Sequence, residues 1–329
     1  MADRKILKFS LWSFLLFVVL PISLVGYFLI ETDAPVIHGK VYSHIQYNER
    51  QNLDLYQPTK QVYEKAPVLV YLHGGFWAIG IKEAINNTRF NGAVNELRDA
   101  GFAIVSPEYT KARADRSPFP YCIEDAYETL LWMKHNSEEY GLDMDRIGLL
   151  GESAGAHIAL MAAYSEASEF GVEEETPKID YVIDVYGPND LKKIYQLELL
   201  DSIKTIREQF PKEYQDYLDL PKFLLGFDPE LDTVRTKKIL ETYSPYLRVD
   251  SEVPPTCFIH GELDIIAPVD QSIALQARLD SAGVETELHV LKGVNHGFMG
   301  VSKEQKAMIQ QWVVDFVYKN TQGLKTDEP

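Results

Sequence analysis

Ile147-Gly148-Leu149-Leu150-Gly151-Glu152-Ser153-Ala154-Gly155-Ala156-His157 joins two kinds of segment. Residues 146–150 form a short apolar run of the kind that makes a strand buried on both faces, and residues 154–165 read as a helix. Between them, residues 151–155 match G-x-S-x-G. The bare pattern is common by chance, and its weight comes from the strand directly before it and the helix directly after. A serine on so tight a turn needs small residues two before and two after, where bulkier side chains would clash. The turn exposes the hydroxyl at a helix N-terminus, where negative charge is favoured. On the motif alone, a plain glycine-rich turn remains the alternative.

Outward from this turn, short β-like runs alternate with longer helical ones. Residues 67–72, 102–106, 181–186, 256–260 and 286–291 repeat the buried-strand type, and residues 41–47 and 52–56 read as paired edge strands joined by a polar turn at 48–51. Residues 89–100, 121–140, 270–282 and 303–319 carry helical patterns. Such alternation predicts an α/β fold, a mostly parallel central sheet flanked by helices. Residues 191–243 break the rhythm with leucines near helical spacing and a cluster at Phe223, Leu224, Leu225 and Phe227. They are expected to form a helical cap insertion over the carboxyl ends of the strands; a packing excursion without a substrate role is the alternative.

A serine hydroxyl is a weak nucleophile and needs a base held by an acid. On a strand–turn–helix scaffold of this kind the chain order is Ser, then Asp or Glu, then His. Four histidines follow Ser153. His157 lies one turn along the helix, His260 ends a strand before any acid loop, and His289 sits mid-strand as a structural residue. His296, in the loop after the last strand, is the expected base. Asp264, just after the strand ending at His260, is the expected acid, with Glu262 the weaker rival and Asp270 expected to cap the next helix. Ser153, Asp264 and His296 thus stand at the ends of three strands in the required order, far stronger evidence than one motif. A tetrahedral intermediate also needs donors. Gly74 and Gly75 of His73-Gly74-Gly75-Phe76-Trp77, after residues 67–72, together with the N–H of Ala154, are the expected oxyanion hole. His73 is expected to orient that loop rather than move protons, and Trp77 to line an acyl pocket or wedge the loop. No metal or organic cofactor is required by this chemistry.

The 329 residues carry a formal net charge of −17, with 32 Lys plus Arg against 49 Asp plus Glu. That balance argues against nucleic acid as a partner. Cys122 and Cys257 are too few for a disulfide framework and sit in apolar runs, as buried free thiols do. The N-terminus differs. Arg4, Lys5 and Lys8 precede 22 uncharged residues, 9–30, of which 17 are apolar, closed by Glu31. A helix of that length reaches about 33 Å, enough to span a bilayer core. Residues 1–31 are therefore expected to form a membrane anchor, with residues 32–329 as a catalytic domain on the non-cytoplasmic side. A cleaved signal peptide with secretion, or a buried helix, are the alternatives. Asn86-Asn87-Thr88 matches a glycosylation sequon at a frequency near chance.

Taken together these residues resemble the α/β-hydrolase superfamily, in the branch of hormone-sensitive-lipase-like, acetyl-xylan and feruloyl esterases. The resemblance runs from about Tyr42 to Tyr318. It is carried by HGGFW at 73–77, the block 119–132, DMDRIGLLGESAGAH at 143–157, YGPNDL at 186–191, SPYLRV at 244–249, HGELD at 260–264 and NHGF at 295–298. It implies the same roles for Ser153, Asp264, His296, Gly74, Gly75 and Ala154, and a serine carboxylesterase acting on small-molecule esters of short to medium chain. Glu108-Tyr109-Thr110-Lys111 departs from the family's Asp-Tyr-Arg-Leu, the loop 111–117 is unusually charged, and residues 192–220 are longer than in xylan-esterase-like members, so substrate class transfers least. A serine peptidase or amidase of the same fold is the second reading. A non-catalytic, membrane-anchored pseudo-hydrolase is the third, opposed by competent residues at every triad position.

Overall fold

The computed structural model describes residues 38–87, 89–113, 115–196 and 219–322. The stretch 9–30, expected to span a membrane, lies outside them, as do residues 197–218 of the expected cap. Among the described residues no helix is long and apolar enough to cross a membrane.

Eight strands form one sheet: β1 (Val41–Gln46), β2 (Asn52–Tyr56), β3 (Ala66–Leu72), β4 (Ala103–Pro107), β5 (Leu142–Glu152), β6 (Tyr181–Val185), β7 (Thr256–Gly261) and β8 (Thr286–Leu291). Their spatial order is β1-β2-β4-β3-β5-β6-β7-β8. β2 runs antiparallel to both of its neighbours, and every other pairing is parallel. The helices are α1 (Asn91–Asp99), α2 (Tyr121–Tyr140), α3 (Ala154–Ala163), α4 (Leu191–Tyr195), α5 (Leu220–Leu225), α6 (Thr233–Thr242), α7 (Asp270–Ser281) and α8 (Lys303–Gln322).

The continuous apolar runs are explained by two cores. In β3, Val68, Val70 and Leu72 face a layer containing α2, α3 and α7, while Leu69 and Tyr71 face α1 and α8. A strand with a two-residue period and helices on both sides must be apolar at every position. β8 departs from the expectation of burial on both faces. It is the edge strand and only half-buried, because among the described residues nothing pairs with its outer side in the sheet.

Parallel strands bring their carboxyl ends to one edge of the sheet. β3, β5, β6, β7 and β8 therefore deliver the loops beginning at His73, Ser153, Tyr186, Glu262 and Lys292 to a single rim. Of the expected cap, α4 follows β6 after a short turn and is capped by the Asp190 side chain. Leu191 and Leu225 are buried, and Gly226 lies so close to Arg116 and Ser117 that an added Cβ would meet Ser117 N at 2.5 Å. This segment thus packs against the charged loop after β4.

Candidate active site

Ser153 has φ 51° and ψ −116°, a left-handed conformation that a serine adopts only when its surroundings enforce it. They do so by close approach. A Cβ on Gly151 would meet Gly155 O at 2.3 Å, and one on Gly155 would meet Leu72 O at 2.0 Å. Both glycines of the motif are therefore required for β5 to turn into α3 against the end of β3. The Ser153 N–H donates to Val185 O at 2.9 Å, which pins the turn to β6.

The structure brings all three expected partners together. His296 Nε2 lies 3.0 Å from Ser153 Oγ, and His296 Nδ1 lies 2.6 Å from Asp264 Oδ2. With Nδ1–H donating to the carboxylate, Nε2 presents its lone pair to the serine hydroxyl. Asp264 is buried, and its other oxygen accepts the N–H groups of Ile266 and Ala267 at 2.9 Å each. Burial alone would raise its pKa. Hydrogen bonds from His260 and His296, the His296 charge and the Ala267 N–H outweigh it and bring the value down to about 2. The acid is thus ionised throughout the neutral range.

Glu262, the rival acid, points elsewhere: its Oε2 accepts the Gly293 N–H at 3.0 Å and ties the acid loop to the histidine loop. Asp270 does not cap α7. It is the first residue of that helix, and Val269 holds the cap position without a side-chain bond. His289 stacks its ring on that of Trp312, with the centroids 4.3 Å apart. Both cysteines are free and buried.

On the other side of Ser153, a Cβ built on Gly74 would sit 3.5 Å from the Ser153 Cβ, so the loop after β3 abuts the serine. Gly75 has φ 125° and its carbonyl accepts from both Ala78 and Ile79, a tight turn that only glycine allows. Ala154 opens α3, where the first N–H groups have no intrahelical acceptor. His73 is fully buried beneath this loop. Its Nε2 meets Glu108 Oε1 at 2.7 Å, its Nδ1 meets Gly74 O at 2.7 Å, and its ring stacks on Tyr109 at 4.2 Å. Lys111 holds the same Glu108 oxygen at 3.0 Å. Burial works to raise the Glu108 pKa, but His73 and Lys111 hold it below the usual carboxylate range.

Several supports escaped the sequence reading. His260 places Nε2 3.2 Å from Asp264 Oδ2 and 2.7 Å from Ala267 O, bracing the acid from below. The i,i+4 spacing within HGELD was the available signal. Glu152, the second residue of the motif, accepts hydrogen bonds from the phenols of Tyr71 and Tyr186, and burial raises its pKa. Tyr186 in turn packs its ring edge-on against His296, 4.8 Å away. His157 accepts from Trp77 Nε1 at 3.2 Å and donates to Tyr243 O at 2.6 Å, linking the loop after β3 to the end of α6. Trp77 is therefore a buried wedge beside Phe119, not an exposed pocket wall. Among the described residues, the groupings of possible metal donors lie elsewhere, at His44, Asp54 and Glu83 and at Cys257, Glu287 and His289.

A mostly parallel eight-stranded sheet whose serine turn, acid loop and histidine loop meet at one rim defines an α/β-hydrolase. The BD-FAE family profile matches residues 53–279, more than half of the chain, and the chain belongs to that family. Among curated relatives it is 29% identical over 274 residues to Esterase LipQ of Mycobacterium tuberculosis, covering 82% of this chain and 59% of that protein. It is 28% identical over 233 residues to the ethyl acetate hydrolase of Pseudomonas putida, covering 70% and 65%. The chain thus spans less than two thirds of the length of these relatives. Among solved structures, a truncated carbohydrate esterase from gut microbiota superposes with a TM-score of 0.66 at 19% identity, covering 88% of this chain and all of that one. Esterase B from Lactobacillus rhamnosis gives a TM-score of 0.66 at 19% identity, covering both chains completely. At these identities the structural likeness speaks to the fold.

Proposed function

We propose that this protein is a serine carboxylesterase working through an acyl-enzyme. The observation that carries the reading is the continuous relay from Asp264 through His296 to Ser153, at 2.6 and 3.0 Å. Ser153 Oγ attacks the ester carbonyl carbon while His296 Nε2 takes its proton. The carbonyl oxygen, now an anion, is received by the N–H groups of Gly74, Gly75 and Ala154. Collapse breaks the bond to the alcohol, and His296 returns the proton to the departing oxygen. Water then repeats the sequence on the acyl-serine, releasing the acid and restoring Ser153. Asp264, held ionised, keeps the imidazole in the required tautomer and stabilises its charged form.

The esterase names of the curated relatives support the reaction class. Substrates of short to medium chain are supported by exposed Ile79, Leu263, Ile265 and Met299, which stand on the same three loops that bring Gly74, Asp264 and His296 to the serine. For location, the basic and then apolar composition of residues 1–30 supports a single N-terminal anchor with the catalytic domain on the non-cytoplasmic side.

The test is Ser153→Ala assayed on p-nitrophenyl esters from acetate to decanoate. Loss of turnover in a variant that melts like the parent is expected, with a short- to medium-chain optimum in the parent. Hydrolysis undiminished by the substitution overturns the assignment.

A further inference from the structure

β7 and β8 run in parallel register with Cys257 opposite Glu287. The two-residue period of a strand puts His289 on the same face as Glu287, towards α8. One thiol, one carboxylate and one imidazole are thereby gathered with their donor atoms all within 4.8 Å of one another. We propose that Cys257, Glu287 and His289 form a binding site for a zinc-class divalent cation, which clips the edge strand β8 to β7.

The position of each donor is set by its surroundings. Cys257 is fully buried and in no disulfide. Buried His289 Nε2 makes no close hydrogen bond, and its partner is Glu287 Oε2 at 3.4 Å. Its ring orientation is fixed by stacking on Trp312, 8° from parallel. Lys319 Nζ holds Glu287 Oε1 at 2.7 Å, so the carboxylate is anchored through one oxygen while the other turns to His289.

The donor set selects the ion. Thiolate, imidazole and carboxylate together suit zinc rather than magnesium or calcium, which take oxygen ligands. Zinc bonds of about 2.0–2.3 Å place tetrahedral donors about 3.3–3.8 Å apart; the imidazole and carboxylate already stand 3.4 Å apart, and the thiol has to close by no more than about 1.5 Å. On binding, the Cys257 thiol loses its proton to solvent, an S–metal bond forms, and water completes the fourth position. Glu287 and His289 are only partly buried, which leaves a path of entry at the sheet edge. The site does not depend on the ester chemistry at Ser153.

The experiment is titration of the full chain, stripped with chelator, with Co2+ as a spectroscopic stand-in for zinc. A near-ultraviolet thiolate-to-cobalt band saturating at one ion per chain and displaced by Zn2+ is expected. Cys257→Ser should abolish the band, Glu287→Gln should weaken binding at least tenfold, and Cys122→Ser should change nothing. No band in the parent, or a band that survives Cys257→Ser, overturns the proposal. Should Cys257→Ser fail to melt cooperatively, His289→Gln and Glu287→Gln decide, and unchanged affinity in both overturns it.

Discussion

Two imidazole–carboxylate pairs flank Ser153, and by distance alone they are twins: His296 with Asp264 at 2.6 Å and His73 with Glu108 at 2.7 Å. Their difference lies in the second ring nitrogen. His296 Nε2 faces a serine oxygen, whereas His73 Nδ1 is occupied by Gly74 O and its ring is sealed under Tyr109. The carboxylates differ as well. Asp264 is held by two backbone N–H groups and a second histidine, while Glu108 shares a lysine that also donates to Gly80 O at 2.5 Å. A histidine–carboxylate pair is therefore not in itself a proton-transfer device. What the free nitrogen faces decides whether the pair moves a proton or holds a loop.

The sharpest way to break that distinction is to remove each imidazole. His296→Ala should lower kcat on p-nitrophenyl butyrate by about 10^5-fold or more, the scale of losing a member of a serine relay. Asp264→Asn should follow with about 10^4-fold, since an amide leaves the ring in place but favours the wrong tautomer. Steady-state rates for both, with melting curves to confirm folding, check the order; a loss under tenfold in either would remove that side of the comparison.

The loop-holding pair should respond more mildly. Glu108→Gln should reduce kcat by about 10–100-fold, less than the roughly 100–1,000-fold of losing an oxyanion donor outright because the loop is only loosened, with KM little changed. Labelling of Ser153 by a fluorophosphonate should persist, because the relay to the serine is untouched. A loss matching that of Asp264→Asn would mean that Glu108 does more than hold the loop.

The smallest effect concerns His157, which, like His73, serves structure. Burial depresses its pKa from the ordinary 6.5 to about 4. The unfolded chain therefore binds a proton that the folded one refuses. Its contribution to stability is intact above pH 6.5 and is lost progressively as pH falls to about 4, about 3 kcal/mol in all. Asp264, whose folded pKa of about 2 lies below the ordinary 3.8, adds a separate loss only at lower pH. Chemical denaturation at pH 7 and pH 5 should show the parent losing stability and His157→Gln losing less across that interval.

Much of this was legible in the chain. Apolar runs mark β3, β4, β6 and β7 because a doubly covered sheet imposes burial at every position, the polar turn at 48–51 marks the edge pair β1 and β2, and Tyr121–Tyr140 is readable end to end from its helical spacing. Ser153, Asp264 and His296 were legible because each stands at a strand end, where topology leaves little choice of direction. The part played by His260 is not legible in the chain, because it depends on the path of the loop after β7, which curls back so that Ala267 O and Asp264 Oδ2 meet one nitrogen. Asp270 looked like a cap because an acidic residue at a helix start has that propensity, but the helix begins one residue earlier than such a cap would require. The roles of Glu152 and Glu108 had no signal in spacing, since their partners lie 34, 81 and 35 residues away.

The sequence by itself determined the periodicity, the order of the strands along the chain and the glycines that the turn at Ser153 requires, all of which follow from local sterics and the alternation of apolar side chains. Only the tertiary structure decided which histidine and carboxylate line up on Ser153, which brace loops, and which gather beside Cys257. Those roles depend on separations of about 3 Å between residues far apart in the chain, and such distances exist only once the sheet has brought the ends of its strands to one rim.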